Sequence, residues 1–146
     1  MLTVGQLLLT LTVVGYALIP IKADFNNTHA TNPSWTPHAR FHVVWQVLSY
    51  VGVGLVALYL IWVDGLHPPE RERLYLAAAL SGAIYVGFFV TVSARPLFGG
   101  ALHDDNGYGL LRLPIGAKSL RWDANVTVFS FFSVVGLTGV FATLAS

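Results

Sequence analysis

Polar and apolar positions fall into long blocks along this chain. Four stretches, 1–21, 41–63, 74–94 and 124–146, contain no Asp, Glu, Lys or Arg. Each carries roughly the 20 apolar residues with which a helix crosses a hydrocarbon core of about 30 Å. The eight basic and seven acidic residues all lie between these blocks: three in 22–40, five in 64–73 and seven in 95–123. A soluble domain spreads charge over the outer face of every element, whereas a bilayer drives it into the connections. The pattern predicts an all-α protein, a single membrane domain over 1–146 built as a four-transmembrane-helix bundle.

Local chemistry places the helices at about 3–21, 37–63, 72–94 and 123–145. The first should kink or end near Pro20, whose ring blocks the preceding turn. Thr36 is a good N-cap, and Pro37 suits the first helical position, where a missing N–H costs nothing. Asp64-Gly65 and Pro68-Pro69 mark the end of the second helix, Arg95-Pro96 closes the third, and Asp123 caps the fourth. Small residues let helix backbones approach closely in lipid. The run from Ala77 to Ala83 and Gly87, with Gly136 and Gly139, supplies the expected contacts, Gly82 and Gly87 foremost. The first stretch reads as a retained helix rather than a leader, because it lacks a basic n-region and an Ala-x-Ala-like cleavage site.

Connection lengths set the sidedness. The 64–73 turn is short, so the second and third helices form an antiparallel hairpin. Segments 22–36 and 95–122 then share the opposite face, where they are expected to touch and close the mouth of the bundle. The longer one has a turn signal at Asp104-Asp105-Asn106-Gly107 and room for a short hairpin within 97–120. The chain therefore reads as an integral, multi-pass membrane protein, with two signals in conflict over its orientation. Lys22, Arg40, Arg95, Arg112, Lys118 and Arg121 favour a cytosolic loop-rich face by the positive-inside rule, whereas the Asn26-Asn27-Thr28 sequon would be used in a lumen.

Composition narrows the function classes. Only 10% of residues are charged, against about 25% in a soluble domain. A net charge of +1 with no basic run excludes nucleic acid as a partner. The chain has no cysteine, which removes disulfides, iron–sulfur clusters and thiol catalysis. Aromatic residues make up 13%, in keeping with interfacial anchors. Trp35 and Trp122 read either as such anchors or as walls of a substrate pocket.

Candidate chemistry collects on the loop-rich face, which holds His29, His38, His42 and His103, while His67 lies on the other. With a helix starting at Pro37, His38, His42, Gln46 and Ser49 follow at spacings of four, four and three. They form a polar stripe that is expected to face the bundle interior. Asp123, Asn125, Thr127 and Ser130 would add a second patch. Asp24, His29, His38, His42 and Asp123 are the candidate acid–base set, since His titrates near neutrality and a partly buried carboxyl is tuned upward. Asn32, Trp35, Arg40, Gln46, His103 and Asn125 would bind and orient a substrate. Two histidines at i and i+4 can also share a divalent metal, completed by His29. No organic cofactor is called for. The charges of 64–73, Arg71 and Arg73 among them, read as a solvated turn.

The segment Thr28-His29-Ala-Thr-Asn32-Pro-Ser-Trp35-Thr-Pro-His38-Ala-Arg40-Phe-His42 resembles a Thr-His-x-x-Asn-Pro-x-Trp-x-x-His-Ala-Arg-Phe-His run in a group of small, largely uncharacterised four-helix integral membrane proteins. That resemblance implies a membrane family with a polar site and names no substrate. A looser likeness, in architecture alone, is to membrane sterol isomerases and terpene cyclases.

The leading expectation is an intramembrane enzyme that isomerises, cyclises or hydrates a lipophilic molecule of isoprenoid or sterol type. One alternative is a metal-dependent membrane hydrolase or oxygenase using His29, His38 and His42. The other is a non-enzymatic lipid- or quinone-binding subunit. The partners are then the bilayer and a lipophilic ligand, with homo-oligomerisation open.

Overall fold

The computed structural model describes residues 3–63, 65, 70–103, 111–115 and 118–145. Helix α1 (Val4–Ala17) begins with a reciprocal cap: the Thr3 hydroxyl accepts from the Gln6 N–H, and the Gln6 side chain accepts from the Thr3 N–H. It breaks at Leu18, and a short α2 (Ile19–Asp24) follows with Pro20 in its first turn. Helix α3 (Pro37–Trp62) starts where Thr36 accepts the Ala39 N–H at 3.2 Å. Helix α4 (Glu70–Ala94) runs into a 3₁₀ turn at Arg95–Leu97. Strands β1 (Leu111–Ile115) and β2 (Lys118–Trp122) form an antiparallel hairpin, with Leu111 opposite Trp122 and Ile115 opposite Lys118. Helix α5 (Ala124–Ala145) completes the chain.

The spans Val4–Asp24, Pro37–Trp62, Glu70–Leu97 and Ala124–Ala145 are long and apolar enough to cross a membrane. Their outer faces expose Leu55, Val56, Val90, Phe131 and Phe141, a surface suited to lipid and costly in water. Helix α1 is the central one, packed against α3, α4 and α5. Leu9, Val13 and Tyr16 are at most 2% exposed, and they meet Ala57 and Ile61 of α3 and Tyr85 of α4.

Close backbone approach is what lets α1 sit there, but not all of it comes from the expected residues. A methyl group on Gly136 would lie 3.0 Å from Thr12, and one on Gly139 would lie 3.1 Å from Leu8, as the small-residue argument expects. Gly5, Gly15 and Gly54 prove as important: a Cβ there would overlap Thr143, the Phe132 ring and the Ala17 Cβ, respectively. Gly82 and Gly87 correct the expectation, since a Cβ at either meets nothing within 4 Å. Gly82 borders a cleft instead of a neighbouring backbone.

The hairpin lies at 111–122, at the C-terminal edge of the window expected for it. The turn signal Asp104-Asp105-Asn106-Gly107 lies outside the described residues, as do Asp64, His67 and Pro68-Pro69. A second correction concerns the short turn. Arg73 is 3% exposed, and its guanidinium donates to the carbonyls of Leu60 and Val63 at the end of α3. Arg71 is exposed and donates to the Leu144 carbonyl at the end of α5 at 2.8 Å. These arginines cap the free carbonyls and negative ends of two helices, which places both C-termini on one side.

Candidate functional site

Segment 24–36 is a tight loop that its own side chains hold together. Asn26 donates to the carbonyls of Lys22 and Ala23 and accepts from the Thr28 N–H and hydroxyl, which occupies the sequon amide in folding the loop. Asn32 is 1% exposed, donates to the Thr28 carbonyl at 2.9 Å and accepts from the Ser34 N–H at 2.9 Å. Its role here is architectural, since both ends of the amide are spent on the loop. His29 sits edge-on to Trp35 with ring centroids 5.2 Å apart, and its Nδ1 lies 3.8 Å from Asp24 Oδ1. Both His29 and Asp24 are half-buried.

The hydrogen bonds fix the tautomer of His29. The Thr28 hydroxyl is 2.6 Å from Asn26 Oδ1, an acceptor only, so its single proton goes there. The 2.7 Å contact between Thr28 Oγ1 and His29 Nδ1 must then be donated by the imidazole. Neutral His29 therefore carries its proton on Nδ1 and its lone pair on Nε2.

The α3 stripe is the principal correction. His38, His42, Gln46 and Ser49 are all exposed, and the face that packs on the bundle carries Val43, Val47, Gly54, Ala57 and Ile61. The stripe does have the expected spacing, but it lies on the outer flank of the helix. The cause is that α1 selects the face with the smallest and most compact side chains, Gly54 and Ala57, for close approach. On the outer flank, His38 Nε2 and His42 Nε2 stand 3.0 Å apart, and Gln46 donates to the Tyr50 hydroxyl at 3.0 Å.

Asp123 is 8% exposed and acts as the N-cap of α5, its Oδ1 accepting from the N–H groups of Asn125 and Val126. Asn125 is exposed and donates to the Leu102 carbonyl, tying the segment after α4 to the start of α5. His103 is exposed, and Arg40 is half-buried with its Nε facing inward. The expected acid–base set thus splits into three places: the Asp24–His29 pair, the His38–His42 pair and the Asp123 cap. Among the described residues, no three His, Cys, Asp or Glu side chains gather around one point that could hold a metal ion. His29 is thus not grouped with the His38–His42 pair.

Within the spans lies a cleft that the sequence did not announce. It has a volume of about 250 Å³, lies between α1, α4 and α5, and is bordered by Leu9, Thr12, Ser81, Gly82, Tyr85 and Gly136. Along α4 it adjoins an open groove that ends at Ala94, the two sharing Val86 and Phe89. Its hydroxyls are already committed as donors. Thr12 donates to Leu8, Ser81 to Ala77, and Ser133 to Phe129, while Tyr85 donates to the Thr12 carbonyl at 2.7 Å. What they still present are lone pairs. The available signal was the grouping of Ser81, Gly82 and Tyr85, small and polar residues one turn apart in an apolar span.

No protein-family model, curated protein or solved structure matches the chain.

Proposed function

We propose that the protein holds a lipophilic small molecule in the cleft between α1, α4 and α5, as a membrane binding protein or a subunit of a larger assembly. The observation that carries this reading is the cleft itself: an apolar hollow within the spans that shares Val86 and Phe89 with a groove along α4 and has the hydroxyl residues Thr12, Ser81, Tyr85 and Ser133 in its wall. An apolar lining with a few hydroxyls suits an apolar body that bears a single hydroxyl, such as an isoprenoid alcohol, a sterol or a quinol. Entry is sideways from the bilayer, in which such molecules concentrate.

The Asp24–His29 pair favours a second reading, the acid–base enzyme. A His29 whose Nδ1 side faces the Asp24 carboxyl and whose lone pair is on Nε2 has the makings of a general base for isomerisation or hydration. His38 and His42, on the outer flank of α3, and Asp123, the cap of α5, are left out of that version.

Gly82→Leu tests the first reading. The added side chain enters open space, and the exchange favours the helix by about 1 kcal/mol, so folding is retained. Lipids extracted from purified wild-type protein should be enriched in one hydroxylated lipophile relative to the whole membrane, and Gly82→Leu should lose it at an unchanged melting temperature. An extract identical to bulk lipid in both proteins rejects the proposal. Conversion of the copurified molecule over time, abolished by Asp24→Asn, would support the enzyme instead.

A further inference from the structure

We propose that His38 and His42 are half of a divalent transition-metal site, completed by the same two residues of a second copy across a two-fold axis. The proposal stands apart from the cleft and uses none of its residues. The two Nε2 atoms are 3.0 Å apart on successive turns of α3, and both rings are exposed. With metal–nitrogen bonds of about 2.1 Å, that separation subtends about 90° at an ion, the angle between adjacent ligands in a square-planar or octahedral sphere. The rings are mutually perpendicular, at 89°, with centroids 4.4 Å apart, and the hydrogen bond between the two Nε2 atoms gives way when the donor ring takes its Nδ1–H tautomer, which leaves both Nε2 lone pairs to the ion. Imidazole nitrogen suits Cu²⁺, Ni²⁺ and Zn²⁺.

Two ligands make an incomplete sphere, and no further His, Asp or Glu among the described residues joins them. A second copy supplies the rest most economically. In a two-fold contact a residue patch meets itself, so a pair of nitrogens becomes four. The same contact answers a second problem of α3. Gln46 and Ser49 are exposed one and two turns beyond His42, deeper along the same span, and polar side chains at such depth normally face protein rather than lipid. Phe41 and Trp45 are also exposed and pack around the His42 ring, giving the contact an apolar shoulder.

The experiment uses full-length, tag-free protein in nanodiscs or mild detergent, titrated with Ni²⁺ or Zn²⁺. One ion should bind per two chains, with a shift from monomer to dimer in native mass. His38→Ala and His42→Ala should each weaken binding by at least 10–100-fold, the loss typical of removing even an outer-shell partner. Both side chains are exposed, so the variants should melt like wild type. Because the chain has no cysteine, Ser49→Cys on the same face reports the contact directly, and its self-crosslinking should accelerate with metal and return to the metal-free rate with chelator. Metal binding equal to that of the double histidine variant overturns the site. One ion per chain without dimerisation, or crosslinking indifferent to metal, overturns the shared arrangement.

Discussion

Asn32 shows how a polar residue can be conspicuous in sequence for a reason other than chemistry. In Asn-Pro-Ser-Trp, beside three histidines, it reads as a ligand-orienting group. Its amide instead joins the Thr28 carbonyl to the Ser34 N–H inside a loop that leaves it 1% exposed. Asn32→Ala should lower stability by about 1–3 kcal/mol, because a buried side chain is lost and the partly buried Thr28 carbonyl and Ser34 N–H both lose their partner. Asn125→Ala removes one exposed bond and should stay within about 0.5 kcal/mol of wild type. Thermal unfolding in detergent separates the two. If Asn32 is instead a ligand contact, the melting temperature should hold while ligand retention falls. The residue types were legible in the chain. Their partners were not, since a side-chain hydrogen bond depends on loop geometry that no spacing rule supplies.

At the scale of helices, charge segregation announces the spans, and capping chemistry places their ends to within a few residues. Thr36, Pro37 and Asp123 do what their positions predict. Which face of a span turns inward is harder to read. In water, the polar side of a helix is the outside; in lipid, both sides are apolar, and periodicity loses its contrast. The inner face of α3 is chosen by Gly54 and Ala57, and its polar stripe falls outward in consequence. For the same reason, the glycines that matter most were not singled out. Gly15→Leu should separate α1 from α5, because the added side chain meets the Phe132 ring at once. We expect loss of the folded, extractable protein, whereas Gly87→Leu, with open space at its Cβ, should be tolerated. The two turn arginines divide similarly. Arg73→Ala removes a buried side chain and leaves the end of α3 uncapped, and should cost about 1–3 kcal/mol. Arg71→Ala, on an exposed contact with α5, should cost less than 1 kcal/mol. Equal melting temperatures for the two variants would show that burial of Arg73 adds nothing.

The whole molecule has a polarity that its internal bonds fix. Gln6, near the start of α1, donates to the Ile61 carbonyl near the end of α3, and Arg71 reaches the end of α5. Residues 3–6, 61–63, 70–73 and 144–145 therefore share one end of the bundle, and the alternating run of the four spans puts 25–36, 95–103 and 122–123 at the other. The absence of cysteine makes this testable without background. Asn27 and Leu97 are exposed at one end, Glu70 and Ala145 at the other. Single variants Asn27→Cys, Leu97→Cys, Glu70→Cys and Ala145→Cys should fall into two classes when intact vesicles meet a membrane-impermeant maleimide. Asn27→Cys and Leu97→Cys should label together, and Glu70→Cys and Ala145→Cys should label only from the opposite side, after permeabilisation if the first pair faces out. The class that labels first also decides between the two orientation signals, the basic loop residues and the sequon. If Asn27→Cys and Glu70→Cys label from the same side, α1 and α3 do not cross the bilayer antiparallel, and the four-pass arrangement fails with them.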